Sequence, residues 1–61
     1  MIKIEDIKKG LNMIAIWDGA LCKITDIKKD IVYYKSITYP GNYKDKINVV
    51  SECFNLTSDS E

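Results

Sequence analysis

The side chains best suited to recognition gather in one stretch: Tyr33, Tyr34, Tyr39 and Tyr43, interleaved with Lys35, Lys44 and Lys46. Aromatic rings beside cations can stack bases and track a single nucleic-acid strand. Tyrosine is also enriched in protein interfaces, whose centres are depleted in lysine. A purely structural role competes with both readings. In it, one of Tyr33 and Tyr34 enters a core, while Tyr39 and Tyr43 pack across Pro40-Gly41 to hold that turn.

Catalytic chemistry is poorly supplied. The chain has no histidine, the one side chain whose unperturbed charge change falls near neutrality, so neither a Cys/His nor a Ser/His arrangement can be built. Glu5 and Asp6 are adjacent but point to different sides of the chain, and the other carboxylates are dispersed. Cys22 and Cys53 lack CxxC spacing and have no histidine to complete a zinc site. They read as small buried hydrophobes; a disulfide would need their Cα atoms within about 7 Å and a compartment less reducing than the cytoplasm. No enzyme, metal or cofactor is expected.

Sixty-one residues with 46% hydrophobic content make one domain, residues 1–61, with a small core. Such a chain buries only about 60% of the surface its unfolded form exposes. A net stability of ~3–5 kcal/mol follows, which self-association often supplements. The nine basic residues balance nine acidic ones, and every basic residue is lysine. Without arginine, the usual bidentate reader of phosphate and guanine, a neutral chain lacks the footprint of a duplex-binding domain. No basic segment followed by an apolar one opens the chain, so the expected compartment is the cytoplasm. Residues 13–17, the longest apolar run, fall far short of a membrane span. The glycosylation-type triplet Asn55-Leu56-Thr57 carries no weight without secretion.

The elements that must hold these side chains are strands. Asp18-Gly19, between the apolar runs of residues 11–27, predicts a hairpin with a two-residue type I′ turn. That register places Trp17 opposite Ala20, Ala15 opposite Cys22 and Met13 opposite Ile24, six residues on one core face. The reverse face carries Asn12, Ile14, Ile16, Leu21, Lys23 and Thr25. Its trio Ile14, Ile16 and Leu21 is either buried at a sharply curved corner or an exposed patch for a partner.

Residues 2–4 read as a short edge strand, and residues 5–9 as a turn or one 3₁₀ turn closed by Gly10. Ile4 and Ile7 are expected to fold inward. Lys28-Lys29-Asp30 breaks the chain, with Asp30 in the left-handed position. Residues 31–38 form a third strand. A four-residue loop between Ile27 and Val32 would put Val32 and Tyr34 in the core; pairing Ile27 with Ile31 would choose Ile31 and Tyr33. The first arrangement is preferred. Pro40-Gly41 has the type II turn pattern and leads to a fourth strand at residues 47–50. A tight turn at residues 51–53 and a last strand at residues 54–56 follow, with Phe54 and Leu56 as plugs. Residues 57–61 are expected to fray.

Five or six short antiparallel strands with one long hairpin suggest a small all-β barrel. Here the chain resembles small SH3-like barrel proteins, including those carried by bacteria, phages and mobile elements. The resemblance lies in Ile4-Glu5-Asp6-Ile7-Lys8-Lys9-Gly10, the Asp18-Gly19 hairpin, Ile24-Thr25-Asp26-Ile27 leading into Asp30-Ile31-Val32, and Phe54 after Val49-Val50. It implies a binding scaffold, and an accessory or inhibitory role of the kind mobile elements carry. Residues 5–10 hold no aromatic residue, unlike the first loop of the branch that binds proline-rich peptides. The expected function is a non-catalytic interaction module that binds another protein or itself as a homodimer. Its candidate contacts are Ile14, Ile16, Leu21, Tyr33, Tyr39, Tyr43 and Lys44. The alternative is single-stranded nucleic-acid binding through the Tyr/Lys-rich strand and loop.

Overall fold

The structure, a computed structural model, describes residues 1–57. The expected fraying of residues 57–61 therefore concerns, beyond Thr57, residues outside those described. Five antiparallel strands form one sheet: β1 (Asn12–Ala15), β2 (Leu21–Lys28), β3 (Ile31–Ser36), β4 (Asn42–Lys46) and β5 (Phe54–Leu56), in the order β4-β3-β2-β1-β5. A 3₁₀ turn (Ile4–Asp6) precedes β1, and a short helix, α1 (Ile47–Cys53), separates β4 from β5. No described helix is long and apolar enough to cross a membrane.

The first hairpin corrects the expected loop. Its register pairs Met13 with Cys22 and Ile14 with Leu21, and Ala15 N–H donates to the Ala20 carbonyl at 2.9 Å. The loop is thus four residues, Ile16 to Gly19. A type I′ turn needs positive φ at both central positions; Gly19 has it (+73°) and Asp18 does not. Asp18 instead closes the turn with its side chain, Oδ1 accepting from Ala20 N–H at 2.9 Å, while Gly19 N–H donates to Ala15 O at 3.0 Å. The register has slipped by two residues, and an even slip leaves every side chain on its expected face. Met13, Ala15, Ala20, Cys22 and Ile24 are all buried. Trp17 is the exception: it lies in the loop and is 63% exposed rather than in the core.

The second hairpin pairs Ile27 with Val32 and Lys28 with Ile31, which buries Val32 and Tyr34 as expected. The left-handed residue is Lys29 (φ +55°), not Asp30. A bulge between Ile24 and Asp26 adds one residue to β2 and bends it.

The fourth strand comes earlier than expected. Residues 42–46 pair with β3, and residues 47–50, together with the expected turn at 51–53, are helix. The β-branched content of Ile47, Val49 and Val50 suggests a strand. What decides the matter is the interval of three between Ile47, Val50 and Cys53, which pack toward the core, while Val49 is exposed. The helix is tied at both ends. Ile47 N–H donates to Asp30 O at 2.7 Å, and Ile2 N–H donates to Ser51 O at 2.8 Å while Ser51 Oγ donates to Ile2 O at 2.5 Å. Residues 2–4 therefore do not join the sheet edge. Ile2 takes the buried slot, Ile7 is buried with it, and Ile4 stays exposed, contrary to expectation. Phe54 is buried as expected; Leu56, on edge strand β5, is exposed and plugs nothing.

The sheet is strongly curled. Adjacent strands lie about 4.8 Å apart, so β5 and β3, three spacings apart, would be ~14 Å apart if flat. The rings of Phe54 and Tyr34 meet at 5.3 Å between centroids, edge to face. Helix α1 touches β3, β4, β5 and the 3₁₀ turn, covering the concave side.

A left-handed φ costs a non-glycine residue about 1–2 kcal/mol. Lys29→Gly should therefore raise unfolding stability in urea by about 0.5–1 kcal/mol, after the glycine's own entropic cost. An unchanged or lower midpoint would show that Lys29 is not held in that conformation.

Candidate functional site: an aromatic cleft

Curling the sheet sets four aromatic side chains in a row along its concave side. Trp17 meets Phe54 edge to face at 5.2 Å, Phe54 meets Tyr34, and Tyr34 stacks on Tyr43 at 5.7 Å. Phe54 and Tyr34 form the buried floor. Above them opens a cleft of about 200 Å³, walled by the β1–β2 loop with Trp17 and Asp18 and by the β3–β4 loop with Tyr39 and Tyr43. Ala15, Ala20, Cys22 and Ser36 complete its lining. Trp17, Tyr39 and Tyr43 are 63%, 53% and 41% exposed.

The β3–β4 loop is fixed by the tyrosines themselves. Tyr43 Oη donates to Tyr39 O at 3.0 Å, and Tyr39 N–H donates to Ser36 Oγ at 2.9 Å. Gly41, at φ +154°, is far from the roughly +80° of a type II corner. Its role is close approach: a Cβ there would lie 3.2 Å from Tyr43 Oη. The structural reading of a brace across Pro40-Gly41 thus holds for the Tyr43 side chain, while Tyr39 takes part through its backbone, and both rings still face solvent.

The cleft's polar groups are mostly engaged. Tyr34 Oη donates to Asp45 Oδ2 at 2.6 Å, and Ser36 Oγ donates to Leu21 O at 3.2 Å. Burial raises the Tyr34 phenol above its ordinary value, and the hydrogen bond and negative charge of Asp45 raise it further. Burial also raises the Cys22 thiol; Ser36 opposes this by hydrogen bonding and the charge of Asp18 adds to it. Both cysteines are free. Among the described residues no three His, Cys, Asp or Glu side chains gather where a metal ion could sit.

The expected contact residues are divided between two surfaces. Tyr39 and Tyr43 line the cleft. On the convex side, Ile14 and Leu21 are cross-strand partners, and Ile16 follows in the exposed loop. Tyr33 also lies there, half-buried and paired with Lys44. Strand alternation puts Lys23, Lys28, Lys35 and Lys46 on this same side, with Lys28 Nζ 5.7 Å from the Tyr33 ring centre. Neighbours in sequence are thus opposed in space, Tyr33 with the lysines and Tyr34 with the cleft. Trp17, Asp18, Ser36 and Phe54 escaped the sequence reading of the site. A tryptophan directly before Asp-Gly was the available signal, since a turn is a costly place for a ring with nothing to contact.

Two measurements test this description. The folded Tyr34 phenol keeps its proton above the ordinary value of 10.0, so its contribution is complete below that pH. It declines as pH rises further and the unfolded chain ionises first. The stability gap between the wild type and Tyr34→Phe should therefore narrow between urea melts at about pH 8 and about pH 11; a constant gap would contradict it. In a Cys53→Ser variant, Cys22 should react with a thiol-specific disulfide reagent only as fast as the protein opens, accelerating steeply in urea. Fast labelling without denaturant would show an accessible thiolate.

Comparison of the chain with protein-family models, with curated proteins and with solved structures finds no match, so its function must be argued from this cleft and the opposite face.

Proposed function

We propose that the chain is a non-catalytic binding module of the SH3-like barrel kind, which recognises another protein by taking one of its side chains into the aromatic cleft. The observation that carries this reading is the placement of Trp17, Tyr39 and Tyr43. Three large rings remain open to water in a domain short of buried surface, and they ring a single cleft. Amphipathic rings of this kind are the usual anchors of protein interfaces. The size of the cleft supports one side chain as its occupant. Pockets for whole small molecules measure roughly 300–1,000 Å³, against about 200 Å³ here. The two walls are loops held on a sheet, the common arrangement of a binding site on a rigid scaffold.

A second reading draws on the convex face, which carries five of the nine lysines, with Tyr33 between Lys44 and Asp26. A basic surface with a stacking ring suits a single nucleic-acid strand. It would use Tyr33 and Lys44 rather than Tyr39 and Tyr43.

Quantitative capture from the native host, comparing immobilised wild type with Trp17→Ala/Tyr39→Ala, tests the first reading. The expected result is a protein retained by the wild type and weakened roughly thirty-fold by the cleft variant, the loss of an anchor worth about 2 kcal/mol. Ile14→Ser/Leu21→Ser, on the other face, should retain it. Equal retention by the cleft variant, with its fold intact by circular dichroism, would overturn this reading. A labelled single-stranded oligonucleotide bound at low salt and released by Tyr33→Ala would establish the second.

A further inference from the structure

We infer that the cleft selects a cation, specifically an alkylated ammonium group carried on a partner's side chain. This rests on the proposed role of the cleft as a side-chain acceptor and adds the chemistry of what it accepts.

The hydroxyl protons of Tyr34, Tyr43 and Ser36 are donated to protein oxygens, and the Cys22 thiol lies 3.8 Å from the Ala20 carbonyl. The remaining side-chain donors are the Trp17 indole N–H and the Tyr39 hydroxyl, both on exposed residues. What lines the cleft is therefore electron-rich: aromatic rings, oxygen lone pairs and the carboxylate of Asp18. No lysine lines it, although the chain has nine. Five of those are held across the sheet on the convex face. A second carboxylate, Asp45, stands behind the Tyr34 hydroxyl. An anion would meet the charge of Asp18 with no cation in the lining to offset it. A cation meets rings that attract it when it lies within about 6 Å of their centres.

The kind of cation follows from what the lining lacks. An unmodified lysine ammonium is strongly hydrated and brings three donors. Asp18 is the single lining carboxylate, and its Oδ1 already accepts from Ala20 N–H. A guanidinium brings five donors in a fork that suits a carboxylate with both oxygens free, and one oxygen of Asp18 already holds the Ala20 N–H. Replacing ammonium hydrogens with alkyl groups keeps the charge, weakens the hydration that must be shed on entry, and adds apolar surface to lie against the rings.

The test uses the intrinsic fluorescence of Trp17, the one tryptophan in the chain. The probes are blocked trimethyllysine, blocked lysine, blocked arginine, the uncharged tert-butyl isostere of trimethyllysine, and tetramethylammonium chloride. Saturable binding of trimethyllysine, about ten-fold tighter than lysine, arginine or the isostere, is expected. Asp18→Asn keeps an oxygen for the Ala20 N–H bond and removes the charge, so it should weaken trimethyllysine binding and leave the fold intact. Equal binding of the isostere would overturn the cation inference while leaving a side-chain cleft in place. Tetramethylammonium binding as tightly as trimethyllysine would keep the cation chemistry but remove the protein side chain as its source. Absence of saturable binding of every cation at millimolar concentration would overturn the inference outright, and host-protein capture would then judge the cleft independently.

Discussion

The contact between Phe54 and Tyr34 is the constraint from which the rest of the molecule follows. It joins the last strand to the third across two intervening strands, and it exists only because the sheet curls. The bulge in β2 supplies part of the bend. Helix α1 returns the chain from β4 at one sheet edge to β5 at the other. A buried phenylalanine is worth about 3–5 kcal/mol, comparable to the ~3–5 kcal/mol on which a domain of this length rests. The same ring that closes the core is the floor of the cleft. Stability and the shape of the cleft are therefore not separable at Phe54, and substitutions that address the cleft must come from its walls.

The sheet also sorts charge. Alternation of side chains sends Lys23, Lys28, Lys35, Lys44 and Lys46 to the convex side, with Asp26 the one strand carboxylate among them, while Asp45 and Asp18 belong to the side of the cleft. A formal net charge of zero conceals this polarity. Surface lysines at these spacings add little to stability, so their arrangement matters chiefly for what each face attracts. The concave side, with rings and carboxylates, favours positive groups. The convex side, with lysines around Tyr33, favours negative ones. One small domain thus presents two surfaces of opposite preference, and the two functional readings correspond to them.

Much of the fold was legible because strand parity is robust. Met13, Ala15, Ala20, Cys22 and Ile24 keep their face through a two-residue slip, and Val32 and Tyr34 take the expected face although the loop before them is two residues, Lys29 and Asp30, rather than four. Loop detail was not legible. Asp-Gly suggests a two-residue turn, whereas an Asp18 side-chain bond stabilises a longer loop and carries Trp17 out of the core. Residues 47–53 misled through β-branched composition, the weaker signal, over an interval of three. The tyrosine cluster was visible, but a run of neighbours in sequence hides the fact that a strand sends alternate residues to opposite faces. The Phe54 floor depends on curl, a long-range property that no local pattern records.

Exposed rings carry an energetic argument of their own. Burying a large aromatic side chain removes 150–250 Å² from water at about 25 cal/mol per Å², so leaving Trp17, Tyr39 and Tyr43 open forgoes several kcal/mol of burial. A chain this small has little to forgo. Their loops are nonetheless well tied, by the Asp18 bond on one wall and by the Tyr43–Tyr39 and Tyr39–Ser36 bonds on the other. The rings are thus held in place without being covered. A side chain entering between them would recover burial that folding leaves unused, with little loop ordering left to oppose it. That combination, fixed walls and uncovered rings, is what the proposed recognition role requires, and a defect in packing would not supply it.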